Sequence, residues 1–275
     1  MAYFTTSDGL KLYFADEGTG LPVLCLSGLT RDSRDFSYVL PHLTGCRVIR
    51  LDYRGRGKSE FAADPLSYNI PREALDVVEL LDHLGLDRVA ILGTSRGGLV
   101  AMALAVTVPE RLIGVALNDI GPELASDGLD VIMGYLGKQP PWKTYEEAAA
   151  AREKGVMTGF ANVPASRWRQ EVETFYDQTP DGLRITYDPG LRDAVIAAGA
   201  QPMPDLWPLY DAFAGKPLAV IRGANSDLLS AETLAEMQKR RPDAHIAVVP
   251  DRGHVPFLDE PEALNALGNW LDDMR

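Results

Sequence analysis

Strand and helix signals alternate along both ends of this chain, and the alternation predicts an α/β fold: a mostly parallel sheet with helices on both faces, interrupted by one large insertion. Three observations carry that prediction. Continuous apolar runs of strand length recur (PVLCLS, RVIRLD, RVAILG, PLAVIRG), as strands buried on both faces require. Stretches of helical periodicity separate them. The rhythm stops after Asn118 and resumes at Pro217.

In chain order, Tyr3 to Thr6 and Lys11 to Ala15 read as two short strands, with Asp8-Gly9 as the hairpin signal between them. Pro22 to Ser27 and Arg47 to Asp52 read as buried strands, and Phe36, Val39, Leu40 and Leu43 fall at helical spacing between them. Ile70 to Leu84 reads as a helix stopped by Gly85, with Ala74, Leu75, Val78, Leu81 and Leu84 on its apolar face. A strand ending at Gly93, a helix from Gly97 to Val108 and a strand from Leu112 to Leu117 follow. From Gly121 to about Gly215 the pattern is helical and irregular. Then come a strand at Pro217 to Gly223, a helix at Ala231 to Arg240, a strand at His245 to Val249 and a last helix at Pro261 to Met274. The expected organisation is one core made of residues 1–120 and 216–275, with residues 121–215 inserted into it.

The chain has 275 residues, long for one simple domain and short for two. Its net charge of -12 opposes binding to nucleic acid or to anionic lipid, so the expected partner is a small-molecule substrate. No run approaches the roughly 18 apolar residues of a membrane span. The start, MAYFTTSDGLKLYF, lacks a basic segment followed by an apolar one, so no secretion signal is expected and the cytoplasm is the default location. The two cysteines, Cys25 and Cys46, sit in strand-like runs and read as reduced, buried thiols. No ligand cluster calls for a metal, and no cofactor is expected. The sequence does not set the oligomeric state.

Gly93-Thr94-Ser95-Arg96-Gly97 matches G-x-S-x-G between a buried strand and an apolar helix. A serine on so tight a turn exposes its hydroxyl above the sheet, and the helix N-terminus behind it offers free N–H groups for an oxyanion. The competing reading is a helix-capping serine. Among four histidines, His42 and His83 lie in or beside amphipathic stretches and His245 begins a strand; these read as structural. His254 follows a strand in the polar loop Asp251-Arg252-Gly253-His254, where sites of parallel sheets are built, and is the candidate base. Two aspartates at strand ends are candidates to orient it. Asp227 in GANSD is preferred because it gives the order Ser, Asp, His; Asp119, the last residue of LND, is the alternative. The expected oxyanion donors are the backbone N–H groups of Arg96 and of Leu29 in the loop after PVLCLS.

These residues together resemble the α/β-hydrolase superfamily, in the group with a helical cap. Asp52-Tyr53-Arg54-Gly55-Arg56-Gly57-Lys58-Ser59 is similar to that group's D-x-R-G-x-G-x-S segment, and Asp227 with its preceding glycine and Gly253-His254 with Asp259-Glu260-Pro261 are similar to its acid and base segments. Ser27-Gly28 stands where relatives usually carry His-Gly, and Arg96 where they often carry Met, Gln or Leu. The resemblance implies an eight-stranded, mostly parallel sheet flanked by helices, with a helical cap inserted over the serine. It also implies a serine hydrolase of small, largely apolar carboxylic esters or lactones, working through an acyl-enzyme. Carbon–carbon bond hydrolysis, thioester hydrolysis and a receptor-like binding role are the alternatives on the same residues. An aspartate in place of Ser95 would be needed for haloalkane dehalogenase or epoxide hydrolase chemistry. Met133, Tyr135, Trp142, Met157, Phe160, Trp168, Phe175 and Trp207 supply the insertion's apolar surface, with Trp142, Trp168, Trp207 and Met133 as candidate pocket residues. Arg31 and Arg96, near the oxyanion loops, offer either a charge for a substrate carboxylate or a structural ion pair.

Overall fold

A computed structural model of the chain describes residues 2–156, 158–202 and 204–275. Ten strands and nine α-helices are present among them. Eight strands form one sheet: β1 (Ala2–Thr5), β2 (Lys11–Gly18), β3 (Leu21–Leu26), β4 (Cys46–Leu51), β5 (Val89–Thr94), β6 (Leu112–Asn118), β9 (Leu218–Gly223) and β10 (His245–Val249). Their spatial order is β1-β2-β4-β3-β5-β6-β9-β10. The first two strands pair antiparallel, as do β2 and β4; every later pairing in this sheet is parallel.

The side-chain alternation of each strand divides the core in two. Leu24, Leu26, Ile49 and Val220 point to the face covered by α1 (Ile70–His83) and α2 (Arg96–Thr107). Val23, Cys25, Val48 and Ile221 point to the face covered by α9 (Pro261–Asp272), where Trp270 is fully buried. Local chemistry fixes the helix starts. Asn69 caps α1 by accepting from Arg72 N, with Pro71 in the first turn, and Ser230 caps α8 (Ala231–Arg240) by accepting from Thr233 N. The segment between β3 and β4, where apolar spacing suggested a helix, instead holds two short 3₁₀ turns, Ser33–Phe36 and Leu40–His42. Pro41 sits in the second of them, and a continuous α-helix would lose its backbone donor there.

Between β6 and β9 the chain forms α3 (Ser126–Tyr135), α4 (Tyr145–Ala151), a π-helical turn (Arg152–Val156), α5 (Ala165–Phe175), α6 (Leu191–Gly199) and α7 (Trp207–Asp211). It also contains a hairpin, β7 (Tyr176–Thr179) with β8 (Gly182–Ile185), in a region that reads as helical and irregular from sequence. The segment seats on core loops through backbone contacts. Gly57 N donates to Thr186 O, Asp188 N to Gly55 O, and Ala161 N to Asp251 O. The D-x-R-G-x-G-x-S turn is therefore tied to the inserted segment as well as to the core.

Candidate active site

Ser95 stands at the junction of β5 and α2 with φ 50° and ψ -114°. This strained backbone is made possible by its glycine neighbours: a Cβ on Gly97 would collide with the carbonyl oxygen of Leu26, and one on Gly93 would lie 2.7 Å from the Gly97 backbone. The serine does not cap its helix; its side chain makes no bond to the first turn. Its Oγ lies 3.0 Å from Nε2 of His254, and Nδ1 of that ring lies 2.7 Å from Oδ2 of Asp119. With the Nδ1 proton donated to the carboxylate, Nε2 is left as the acceptor for the serine hydroxyl.

Asp119, not the preferred Asp227, is the carboxylate at His254. It sits fully buried at the end of β6 with φ 56°. Its Oδ1 accepts from Gly223 N at 2.8 Å, and its Oδ2 accepts from the Ser226 hydroxyl at 2.6 Å as well as from His254. Asp227, one residue beyond Ser226, is half-buried; its carbonyl accepts from Gly128 N. The β9 loop thus sends Ser226, and not its aspartate, toward the histidine. Ser226 went unnoticed in the sequence, since a serine next to an aspartate in a turn carries no signal of its own. Asn118 adds a second brace, donating to Thr94 Oγ1 and to the carbonyl of Pro256 beside the histidine, both at 3.2 Å.

The N–H of Arg96 opens α2, where helix geometry leaves it without an internal acceptor. Leu29 is the second residue of a turn closed by Arg31 N to Gly28 O, so its own N–H is not part of that closure. Ser27, in the place of the usual histidine, holds the turn by donating to Arg31 O at 3.0 Å. Both candidate donors are fastened to one carboxylate. Glu73 of α1 is fully buried; its Oε2 accepts from Arg96 Nε at 2.6 Å, and its Oε1 pairs with Arg56 NH1 at 2.8 Å. Arg56 Nε in turn donates to Leu29 O at 3.0 Å. Burial opposes ionisation of Glu73, and the two arginines outweigh it, holding its carboxyl below the usual range. The side chain of Arg96 is therefore a structural ion-pair partner.

The candidate pocket residues separate. Met133 packs on the buried cluster of Tyr68, Leu136, Ile185 and Tyr187, the same cluster that Leu29 packs against. Trp168, Phe160 and Phe257 pack as a triad of rings, joining the insertion to the loop after His254. Trp142 packs on Tyr176 inside the insertion. Trp207 is a correction: it lies against the core, edge to face with Tyr210, bonded through Nε1 to Glu123 and covered by Arg240. Met157 lies outside the described residues. Of the other histidines, His83 packs on Phe4 and Phe14, and His245 pairs with Asp273. No group of three or more potential metal ligands occurs among the described residues.

Residues 23–267 match the profile of the Alpha/beta hydrolase family. The chain belongs to that family. This α/β-hydrolase is 38% identical over 248 residues to a 3-hydroxybutyrate-oligomer hydrolase of Cupriavidus necator, covering 87% of this chain and 84% of that one. It is 27% identical to a 2-(acetamidomethylene)succinate hydrolase of Mesorhizobium japonicum, over 96% of this chain and 92% of that one. A crystal structure of an α/β-hydrolase from Novosphingobium aromaticivorans superposes with a TM-score of 0.92 at 39% identity, covering 98% of this chain and 97% of that one. The eight-stranded, mostly parallel sheet is that of the family, and the protein is a hydrolase.

Proposed function

We propose that this α/β-hydrolase cleaves small carboxylic esters or lactones through an acyl-enzyme on Ser95. The observation that carries the proposal is the continuous chain of hydrogen bonds from Ser95 Oγ through His254 to buried Asp119. In that arrangement Nε2 of His254 takes the hydroxyl proton as Oγ attacks the carbonyl carbon. The charge that builds on the carbonyl oxygen faces the N–H groups of Arg96 and Leu29. The imidazolium, stabilised by Asp119, then gives its proton to the leaving alkoxide. Water repeats the cycle on the acyl-enzyme, releasing the acid and restoring the serine. The name of the Cupriavidus relative supports ester chemistry, because oligomers of a hydroxy acid are joined through esters.

We infer that the inserted segment covers this site: it seats on the loop that carries His254, through Ala161 N to Asp251 O and Trp168 against Phe257, and Ser95 is only 8% exposed. A covered pocket favours short acyl groups over long chains. A series of p-nitrophenyl esters tests both parts. kcat/KM should peak at short acyl lengths, and Ser95→Ala should remove nearly all turnover, by a factor on the order of 10⁶ in kcat. Wild-type rates in a folded Ser95→Ala protein would refute the nucleophile. Rates that kept climbing to the longest chains would refute the covered pocket.

A further inference from the structure

Arg31 of the core and Arg152 of the inserted segment meet on one aromatic ring, Phe175. The guanidinium carbon of Arg31 lies 3.2 Å from the centroid of Phe175, and that of Arg152 lies 4.0 Å from the same centroid. Arg31 is partly compensated. Its Nε and NH2 bond to Asp35, NH2 also donates to Thr174 Oγ1 at 2.9 Å, and Glu171 stands 3.8 Å away. Its NH1 is buried with no hydrogen-bond partner. Arg152 is only 5% exposed, and both its Nε and its NH1 are buried without a partner. A desolvated guanidinium with idle donors is among the costliest arrangements a fold can hold, unless an anion joins it.

The cluster borders the catalytic serine. A Cβ built on Gly28 would lie 3.4 Å from Cγ of Arg31 and 3.8 Å from Cβ of Ser95, so the stem of Arg31 starts beside the serine and carries the charge away toward Phe175. Tyr135 borders the cluster: its side chain neighbours Thr30, Arg31 and Arg152, and 46% of the residue is accessible. Glu171, buried on the other side of Arg31, is pushed up by burial first and by Asp35 further, with the arginines opposing.

We propose that Arg31 and Arg152 form a carboxylate-binding subsite, and that the preferred substrates are short hydroxy-acid esters with a free carboxylate a few atoms from the scissile carbonyl. The planar donors of arginine suit a carboxylate better than any other anion of that size. The carboxylate docks on the idle N–H groups, and its charge holds the ester over Ser95. The position of the scissile bond rests on the serine-hydrolase reading; the anion site itself does not.

Two substrates and one ligand test this. The linear dimer of 3-hydroxybutyrate and its methyl ester share the internal ester and differ in the terminal charge and one methyl group. Wild-type kcat/KM, followed as release of the monomer unit, should favour the free acid by at least about tenfold, chiefly through KM. Arg152→Met should bring that ratio toward unity, and Arg152→Lys should restore part of it. No preference in the wild type, or a ratio unmoved by Arg152→Met, overturns the proposal. Calorimetric titration of Ser95→Ala with 3-hydroxybutyrate gives the second readout. Saturable binding is expected, weakened at least about tenfold when Arg152→Lys is added; absence of binding overturns the subsite. If the wild type hydrolysed neither ester, the serine mechanism would fall, and the titration would still decide the carboxylate site.

Discussion

Asp119 accepts three hydrogen bonds at two oxygens, from Gly223 N, Ser226 Oγ and His254 Nδ1, in a position with no solvent access. An amide in its place would present an NH₂ group to donors at one of those oxygens. The histidine would then favour the tautomer with its proton on Nε2, facing the serine and unable to accept from it. Asp119→Asn should therefore lower kcat on the order of 10⁴-fold, while Asp227→Asn should leave it within about threefold. Steady-state kinetics of the two purified variants decides the point, and the opposite ranking would return the role to Asp227. Both aspartates were visible in the sequence as residues at strand ends. What separates them is that β6 and β9 are adjacent, so either loop has access to His254, and the choice turns on which side chain the β9 turn aims inward. That is a matter of backbone direction over Asn225 to Leu228, which no local pattern encodes.

At the scale of elements, Glu73 joins three of them: α1, which carries it, the start of α2 through Arg96, and the oxyanion turn through Arg56 and Leu29 O. Removing one member of a buried ion cluster leaves the others unpaired, at a cost of about 3–5 kcal/mol. Glu73→Ala should lower the melting temperature by several degrees or more and reduce esterase activity together with it; a melting temperature equal to the wild type's would show the cluster to be dispensable. Elements with strong periodicity were readable in advance: α1 with its Gly85 stop, the apolar strands β3 and β5, and the glycine-rich turn between β5 and α2. The insertion was not. Its β7/β8 hairpin is built from Tyr-Asp-Gln-Thr and Gly-Leu-Arg-Ile, segments too short and too polar to alternate visibly, and its pairing depends on support from Trp142 and Tyr145. Trp207 misled for a related reason. It is large and lies in the irregular stretch, but α7 has already returned to the core by that point.

Over the whole molecule, the parallel centre of the sheet is covered on both sides, and everything central to it is sealed from water. Cys25 in β3 shows the consequence. Burial pushes its thiol up to about 12, and burial also raises Cys46. A neutral thiol is a poor nucleophile, so a disulfide-exchange reagent at pH 8 should label neither cysteine in the native protein and both after denaturation. Rapid labelling of the native state would contradict the packing of β3 and β4. The sign of the pH effect follows: once the pH passes about 9 the unfolded chain ionises Cys25 while the folded chain does not, so native stability declines in alkali. Among the described residues no helix is long and apolar enough to cross a membrane. The alternation of strand and helix had already indicated this layered core, because each layer contributes its own period to the sequence; the seating of the insertion on the core depends on contacts between distant segments, such as Arg167 with Asp259 and Gly159 with Asn225, which have no such signature. The most direct test of the account is the site of covalent capture. Treated with a fluorophosphonate and digested, the protein should yield one modified peptide, with the adduct on Ser95, and His254→Ala should suppress the labelling. An adduct confined to another residue, or no adduct in an enzyme that still hydrolyses p-nitrophenyl esters, would contradict it.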